Sequence, residues 1–475
     1  MSAVALDPKT APTFPMAAKA AMGDAQLRKN VRHATDVIQA KRARVVAEMP
    51  DWQDLREAGK QTRQHTMENL DFYLEEFEAN CTRAGGVVHW ARDAAEARRI
   101  ILSLVKASGS DEVIKIKSMT TEEIQLNSAL EAAGVHPIET DLAELIIQLG
   151  EDRPSHIVVP ALHKNRQQIR EIFQRTMNLP ELGDKPHDLA DAARVFLREK
   201  FLRVKTGVSG ANFLIAETGG VCIVESEGNG RMCLTLPETL IAVAGIDKVI
   251  PRYQDLEVLL QLLPRSATGE RMNPYTSVWT GVDAADGPRV FHVVLMDNAR
   301  TEILADEEAR QTLNCIRCAA CQNACPVYRQ TGGHAYGSVY AGPIGAILTP
   351  QLQEMHHAQS LPYASSLCGA CYEVCPVKIN IPEVLIHLRN KVVKQKGLSA
   401  EALAMRTMGL IFRSERRFRA AQRLGRVAES PLAGKDGWIG WLPGLLGGWT
   451  QARDLQEMPK ETFRDWWEKR GKNGN

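Results

Sequence analysis

Apolar and polar residues alternate along this chain with two different periods, and the period changes near residue 110. Residues 15–107 repeat apolar positions every three or four residues, as in LRKNVRHATDVIQAKRARVVAEM (27–49) and DAAEARRIILSLVKAS (93–108). This spacing predicts amphipathic helices. We therefore expect a helical lead-in over residues 1–107.

From residue 108 short β-branched runs alternate with helical patterns. DEVIKIK (111–117) predicts a strand, followed by a helix with a capping box at Thr120 and Glu123 and a stop at Gly134. Further predicted strands are HPIETD (136–141), 156–161, two flanking a hairpin turn at Thr218-Gly219-Gly220, 239–250 and 290–300, with helices over 164–177, 187–204 and 252–263. Such alternation predicts an α/β domain over 108–300, with a buried sheet covered by helices on both faces.

The strand pattern ends near residue 300, and the remaining chain is helical or looped. We place a helical domain at 301–400 and a separate C-terminal region at 401–475. The C-terminal region holds 14 Lys and Arg against 9 Asp and Glu, a net charge of +5. It also contains Trp438, Trp441, Trp449, Trp466 and Trp467.

Composition restricts the function classes. The whole chain has a formal net charge of +1, so it offers no field that would attract nucleic acid. No apolar run reaches the roughly 20 residues that a membrane helix needs, and the first residues lack the features of a secretory signal. The expected location is the cytoplasm, where clustered cysteines indicate metal binding rather than disulfides.

Four cysteines lie within NCIRCAACQNACPVY (314–328). Cys315, Cys318, Cys321 and Cys325 have spacers of two, two and three residues, and Pro326 follows. This is the run typical of bacterial ferredoxins, in which the fourth cysteine binds the neighbouring iron-sulfur cluster. The motif therefore requires a partner motif.

SSLCGACYEVCPVKINIP (365–382) supplies the partner motif but lacks one cysteine. Cys368, Cys371 and Cys375 match the last three positions, and Ser365 stands at the first. Crossed ligation assigns Cys375 to the cluster of Cys315, Cys318 and Cys321. The second cluster then has Cys325, Cys368 and Cys371, and it is either a 3Fe-4S centre or a 4Fe-4S centre whose fourth ligand is Ser365, water, substrate or a partner.

The cysteine and histidine residues also allow other interpretations. Two zinc sites are the alternative for the clustered cysteines, although a triple C-x2-C-x2-C run favours iron-sulfur. The isolated Cys81, Cys222 and Cys233 are expected to act as small apolar residues. His356 and His357 lie in a helical segment between the motifs, where a packing or solvent-facing role is expected. Because the segment between the motifs is helical, the cluster domain resembles helical ferredoxin modules such as those of succinate dehydrogenase iron-sulfur subunits.

Candidate ligand-binding residues in the α/β domain are glycines, hydroxyls and charges near strand ends. Exposed backbone N–H groups and an arginine there would suit a small anion, whereas a lone TGG is also typical of a tight turn. No dinucleotide or Walker fingerprint accompanies them. The candidates are Gly207, Ser209, Gly210, Asn212, Glu217, Thr218–Gly220, Glu225 and Arg265–Gly269.

The combination of several segments with the two cysteine motifs resembles the lactate utilisation protein B family. The segments are IKIKSMTTEEI (114–124), SHIVVPALHKNR (155–166), GVSGANFLIAETGGVCIVESEGN (207–229) and LLPRSATGE (262–270). The resemblance implies an α/β fold of the sugar-phosphate isomerase and CoA-transferase type, followed by the helical two-cluster ferredoxin domain. It also implies two 4Fe-4S clusters on the seven clustered cysteines. Because the second cluster has only three cysteine ligands, its 3Fe-4S and 4Fe-4S forms both stay open.

For function, the resemblance implies an iron-sulfur subunit of a system that oxidises the small carboxylate L-lactate to pyruvate. Its implied partners are a cysteine-rich CCG-type protein and a smaller lactate-utilisation-domain protein. No catalytic residue is identified, and catalysis could require these partners. Two other hypotheses stay open: an isomerase- or transferase-like enzyme with structural clusters, and an assembly or scaffold subunit that docks through the C-terminal region.

Overall fold

The computed structural model describes residues 11–397, 399–434, 436–450 and 453–472. Residues 1–10 of the predicted lead-in and a few positions of the C-terminal region lie outside them. The chain forms two compact units, one up to Val392 and one from Val393. No helix of the described residues is long and apolar enough to cross a bilayer.

Helices make up most of the first unit. They are α1 (Phe14–Gly23), α2 (Ala25–Ala47), α3 (Trp52–Glu68), α4 (Leu70–Arg83), α5 (Ala94–Ala107), α6 (Met119–Glu123), α7 (Leu126–Ala132), α8 (Leu142–Leu149), α9 (Arg166–Thr176), α10 (Pro186–Arg203), α11 (Asn229–Thr235), α12 (Asp255–Ala267), α13 (Arg300–Ala305), α14 (Ala320–Ala324), α15 (Tyr328–Thr331), α16 (Gly342–Leu352), α17 (Met355–Ala358), α18 (Ala370–Val374) and α19 (Ile381–Lys396). Short 3-10 turns lie at Ile246–Lys248, Arg310–Asn314, His334–Tyr336 and Leu361–Tyr363.

Ten strands form two sheets in this unit. They are β1 (Val87–Ala91), β2 (Glu112–Lys115), β3 (His136–Glu139), β4 (Thr206–Ser209), β5 (Phe213–Ile215), β6 (Gly220–Glu225), β7 (Thr239–Gly245), β8 (Val249–Ile250), β9 (Tyr275–Trp279) and β10 (Val290–Met296). The larger sheet has six parallel strands in the order β1-β10-β7-β4-β2-β3. The smaller one has the order β8-β5-β6-β9.

Both faces of the parallel sheet are buried, as the sequence predicts. Ile241 and Val243 of β7 belong to a cluster with helix α5, whereas Leu240, Ala242 and Ala244 belong to the main core. Successive side chains of a strand point to opposite faces, so this division places apolar contacts on each side. The mixed α/β architecture with a parallel sheet is therefore confirmed.

The predicted hairpin is also confirmed, since β5 and β6 pair antiparallel across the turn. Gly219 lies in this turn with φ 66°, and a Cβ there would lie 2.1 Å from the backbone nitrogen of Cys81. The glycine is required by both the turn and the close approach of α4. Thr218-Gly219-Gly220 is thus a tight turn.

Several predicted elements differ in the structure. Residues 87–91 are the edge strand β1 rather than helix, and β9 lies between the predicted helix at 252–263 and the predicted strand at 290–300. Residues 156–161 form a buried loop rather than a strand. In that loop the backbone N–H groups of Val158 and Val159 donate to His156 Nδ1, each at 3.0 Å, which replaces the strand ladder.

The predicted capping box at Thr120 and Glu123 is wrong. Ser118 is the N-cap of α6, and its side chain accepts a hydrogen bond from Thr121 N. Glu123 instead lies in a buried ion pair with Arg300, at 2.9 Å. Gly134 does follow the next helix, α7, with φ 81°, which confirms the predicted stop.

The second unit contains α20 (Ala400–Phe412), α21 (Glu415–Glu429), β11 (Trp438–Ile439), a 3-10 turn at Gly444–Leu446, α22 (Gly447–Thr450), β12 (Leu455–Gln456) and α23 (Phe463–Lys472). Strands β11 and β12 pair antiparallel. Helices α20 and α21 have no buried residue among those described. The five tryptophans of the region are all exposed.

Candidate iron-sulfur and ligand-binding site

The two cysteine motifs form the same local structure, displaced by 50 residues. Helix α14 begins two residues after Cys318, and α18 begins two residues after Cys368. The residues on either side of Cys318 and of Cys368 have positive φ. They are Arg317 (60°) and Ala319 (62°) in the first, and Leu367 (56°) and Gly369 (84°) in the second. The motifs are therefore structural repeats, and α14 packs against α18.

Four thiols converge on one small cavity. Cys315, Cys318, Cys321 and Cys375 line a space of about 20 Å³ whose other walls are apolar, including Ile344. Burial raises the pKa of Cys375 to about 11 and also raises the pKa of Cys318 and Cys321. Isolated thiols there would be neutral at pH 7, whereas bound iron deprotonates its thiol ligands.

Backbone amides face the sulfur atoms of this group. Arg317 N donates to Cys315 Sγ at 3.4 Å, and Ile379 N donates to Cys375 Sγ at 3.3 Å. N–H···S bonds of this kind stabilise the negative charge of an iron-sulfur cluster and its ligands. The donor set and its surroundings fit a four-thiolate cluster.

Three further thiols form a second group. Burial raises the pKa of Cys371 to about 12, and the charges of Cys325 and Cys368 add to the increase. Tyr328 N donates to Cys325 Sγ at 3.5 Å. Cys368 is exposed, whereas Cys325 and Cys371 are buried. The charge of Cys371 also acts on Cys321 of the first group, so the two groups are neighbours.

Ser365 occupies the position in the second repeat that Cys315 holds in the first. Leu367 N donates to Ser365 Oγ at 3.1 Å, just as Arg317 N donates to Cys315 Sγ. The serine hydroxyl therefore has the local geometry of a ligand sulfur. Ser365 is half-buried beside the exposed Cys368.

The spacing of the thiols argues against zinc. Sulfur atoms of a tetrahedral zinc site lie about 3.8 Å apart, given Zn–S bonds of about 2.3 Å. In the described part of the chain, the sets of three ligand atoms within 4.8 Å of one another contain no cysteine. These sets are Asp152 with His163 and His334, and Glu354 with His356 and His357. The thiols are spread more widely, as a larger cluster requires.

The remaining cysteines and the two predicted histidines lie elsewhere. Cys81, Cys222 and Cys233 are fully buried in the main core, as expected for apolar packing. His356 Nδ1 lies 3.4 Å from a Glu354 carboxylate, and its side chain is 62% exposed. A solvent-facing role for His356 is confirmed.

A cavity of about 220 Å³ opens at the carboxyl ends of β2, β3 and β4. Of the predicted ligand-binding residues, Gly210, Asn212, Glu225, Ala267 and Thr268 line it. Glu217 does not, since its carboxylate accepts a hydrogen bond from Tyr253 N elsewhere. Arg265 lies within α12, beyond the end of the predicted helix at 252–263, and donates to the carbonyl of Gln261. Residues 265–267 are therefore helical.

Six charged residues of the cavity were not predicted: Lys117, Asp141, Glu227, Lys248, Glu270 and Arg317. Arg317 belongs to the first cysteine motif, so the cavity and the four-thiol group share a wall. A signal was present, because Lys117 and Asp141 are the last residues of the predicted strands 111–117 and 136–141.

Three family models match successive parts of the chain. Residues 74–296 match the LUD domain, residues 311–379 the 4Fe-4S dicluster domain, and residues 387–472 the C-terminal domain of lactate utilisation protein B. Lactate utilization protein B 1 of Bacillus mycoides is 44% identical over 456 residues, which cover 96% of this chain and 95% of that protein. The chain belongs to the lactate utilization protein B family.

A second family member, from Bacillus licheniformis, is 44% identical over 94% of both chains. A crystal structure of a DUF162 family protein from Deinococcus radiodurans is 13% identical and covers 48% of this chain and 98% of its own, with a TM-score of 0.28. The dicluster match and the seven clustered cysteines together identify iron-sulfur clusters as the cofactors of this family member.

Proposed function

We propose that this chain is the iron-sulfur electron-transfer subunit of a cytoplasmic complex that oxidises L-lactate to pyruvate. Family membership supports a role in lactate utilisation. The observation that carries the proposal is the arrangement of the thiols: one group adjoins the cavity, and its neighbour includes the exposed Cys368. This order suits a relay from an internal ligand to a partner protein.

The ligands are assigned by crossing between the repeats. Cys315, Cys318, Cys321 and Cys375 hold a 4Fe-4S cluster, and Cys325, Cys368 and Cys371 hold the second cluster. When bound, such clusters supply the acceptance and release of single electrons. Two of them match the two electrons that lactate loses, together with two protons, when it becomes pyruvate.

The assignment of cluster ligands across the two repeats is tested with two serine variants. Cys321→Ser should remove the first cluster, and Cys325→Ser should remove the second, although both residues lie in the same motif. Iron content and the electron paramagnetic resonance (EPR) spectra of oxidised and dithionite-reduced protein measure each loss. If both variants lose the same cluster, the ligands do not cross. Cys222→Ser, outside both motifs, should retain both clusters.

We propose Ser365 as the fourth residue facing the second cluster, because its hydroxyl repeats the geometry of Cys315 Sγ. If the second cluster has three irons, Ser365→Cys should convert its oxidised-state EPR signal into a reduced-state four-iron signal and add about one iron per chain. Ser366→Cys, at an exposed neighbouring position, is the matched control. An identical response of both variants would remove Ser365 from the site.

The proposed partners are a cysteine-rich CCG-type protein and a smaller lactate-utilisation-domain protein, and catalysis belongs to their assembly with this chain. The parallel sheet supports an α/β domain of the sugar-phosphate isomerase and CoA-transferase type. The decisive measurement is anaerobic reduction of the clusters by L-lactate, with and without these partners. Redox-silent clusters under both conditions would refute the relay and favour an isomerase- or transferase-like enzyme.

A further inference from the structure

The cavity lies where ligands bind in open parallel sheets. From β2 the chain passes to β3 on one side and later to β4 on the other side of β2. Strand order therefore reverses at β2, and the crevice beyond the carboxyl ends of such strands is the usual ligand position. At about 220 Å³ the cavity is smaller than pockets for drug-sized molecules. It suits a ligand of only a few heavy atoms.

Lys248 is the cavity's unbalanced charge. The residue is only 9% exposed, and the described residues give its ammonium group no hydrogen bond or ion pair. Burial, followed by the charge of Arg317, lowers the pKa of Lys248 to about 7, so its ammonium form is unfavourable without a partner and a bound anion would stabilise it. Lys117 Nζ, on another wall, is buried and also makes no hydrogen bond, although Glu144 lies 3.5 Å away.

Three of the four acidic side chains that the described residues contribute to the cavity accept hydrogen bonds from backbone amides. Glu225 Oε2 accepts from the N–H groups of Glu227 and Gly228 at 2.8 and 2.7 Å. Asp141 Oδ2 accepts from Lys117 N at 2.8 Å. Burial, followed by the charge of Glu227, raises the pKa of Asp141 to about 7, which weakens its negative charge near neutral pH. Glu227 Oε2 accepts from Leu142 N at 2.8 Å, and Glu270, the fourth, is exposed. Among the described residues, none of these carboxylates forms an ion pair with Lys248.

Arg317 connects this site to the first thiol group. Its Nη1 donates to the carbonyl of Cys315 and its Nη2 to Asp247 Oδ2, each at 3.2 Å. The left-handed φ of 60° at Arg317 belongs to the cysteine loop itself. A ligand in the cavity is thus separated from the Cys315 group by a single residue.

We propose that the cavity binds the carboxylate of a small 2-hydroxy or 2-oxo acid, with Lys248 as its counter-ion and Arg317 beside it. The identity of the acid rests on the proposed function. Electrostatic pairing holds the carboxylate, and the small volume excludes longer acids. The site thereby places the acid next to the cluster bound by Cys315.

The test is calorimetric binding of pyruvate and of L-lactate to the full chain with its clusters in place. Lys248→Met should weaken pyruvate binding about 10- to 100-fold, the loss expected for a charge-assisted hydrogen bond. Lys205→Met is the matched control: Lys205 is exposed and precedes β4 at its opposite end, and binding should be unchanged. Neutral lactamide should not compete with pyruvate.

Misfolding is controlled by thermal denaturation. Because Lys248→Met removes an unpartnered buried charge, its midpoint should equal or exceed that of the parent chain. Equal pyruvate affinity of parent and Lys248→Met protein overturns the proposal, as does absence of pyruvate binding to the parent. If L-lactate reduces the clusters of Lys248→Met protein as it does those of the parent chain, the proposed site is wrong and the relay stands. If Lys248→Met loses pyruvate binding but L-lactate reduces the clusters of neither protein, the site stands and the relay is wrong.

Discussion

Asp247 joins the α/β domain to the first cysteine loop, and its replacement tests that connection. The side chain is fully buried, with Oδ1 2.6 Å from Arg300 Nε and Oδ2 3.2 Å from Arg317 Nη2. These arginines hold the pKa of Asp247 well below its usual range despite the opposing effect of burial. Asp247→Asn keeps the shape of the side chain and removes its charge.

We expect Asp247→Asn to lower the free energy of unfolding by about 3–5 kcal/mol, as is usual when one partner of a buried ion pair is lost. Arg300 retains Glu123, at 2.9 Å, so the larger part of the loss should fall on Arg317. Since Asp247 and Arg317 act as a pair, the double variant Asp247→Asn/Arg317→Met should lose less than the two single variants added together. The difference should be about 0.5–3 kcal/mol.

The assay is anaerobic urea unfolding followed by circular dichroism, at matched iron content. Glu48→Gln, which breaks an exposed pair with Arg271, should leave the midpoint nearly unchanged. A loss below about 1 kcal/mol for Asp247→Asn, or strict additivity with Arg317→Met, would refute the reasoning.

Two further predictions concern stability around the buried loop at 156–161. Burial, followed by the charge of Lys117, lowers the pKa of His156 to about 3. The unfolded chain therefore binds a proton below about pH 6.5 that the folded chain rejects, and this residue should remove about 2 kcal/mol of stability between pH 7 and pH 5. His156→Gln should abolish that part of the pH dependence in urea titrations; an unchanged slope contradicts it. Gly333→Ala would place a Cβ 1.9 Å from the Ser155 carbonyl oxygen and should destabilise by at least about 1–3 kcal/mol, whereas Gly409→Ala, with no neighbour within 4 Å, should not lower the thermal midpoint.

The cysteine site was predictable because its chemistry is local. Two-residue spacers and the following proline define the loop before any tertiary contact forms, and both motifs have this pattern. The equivalence of Ser365 and Cys315 also follows from spacing alone. The structure adds the matching amide bonds to Ser365 Oγ and Cys315 Sγ.

The errors arose where tertiary contacts override local pattern. The apolar run HIVVPA (156–161) predicts a strand, yet in the structure it is a loop in which the backbone N–H groups of Val158 and Val159 donate to His156 Nδ1. Glu123 has the spacing of a capping residue, but Arg300, from a distant part of the sequence, recruits it into a buried pair. Lys248 was missed for the same reason: its burial depends on packing between segments that no local pattern reveals.

The helical lead-in acquires a role that its sequence pattern did not suggest. Arg42 of α2 donates to the carbonyl of Val374 at 3.1 Å, and Arg56 of α3 donates to the carbonyl of Cys375 at 2.9 Å. With Arg317, three guanidinium groups surround the four-thiol group. A reduced cluster carries one more negative charge than an oxidised one, and nearby cations stabilise that charge in a buried setting. Burial alone would make the cluster of Cys375 a poor electron acceptor, so these arginines oppose the effect of the surrounding core. The lead-in is thus part of the surroundings of the proposed redox site rather than a spacer before the α/β domain.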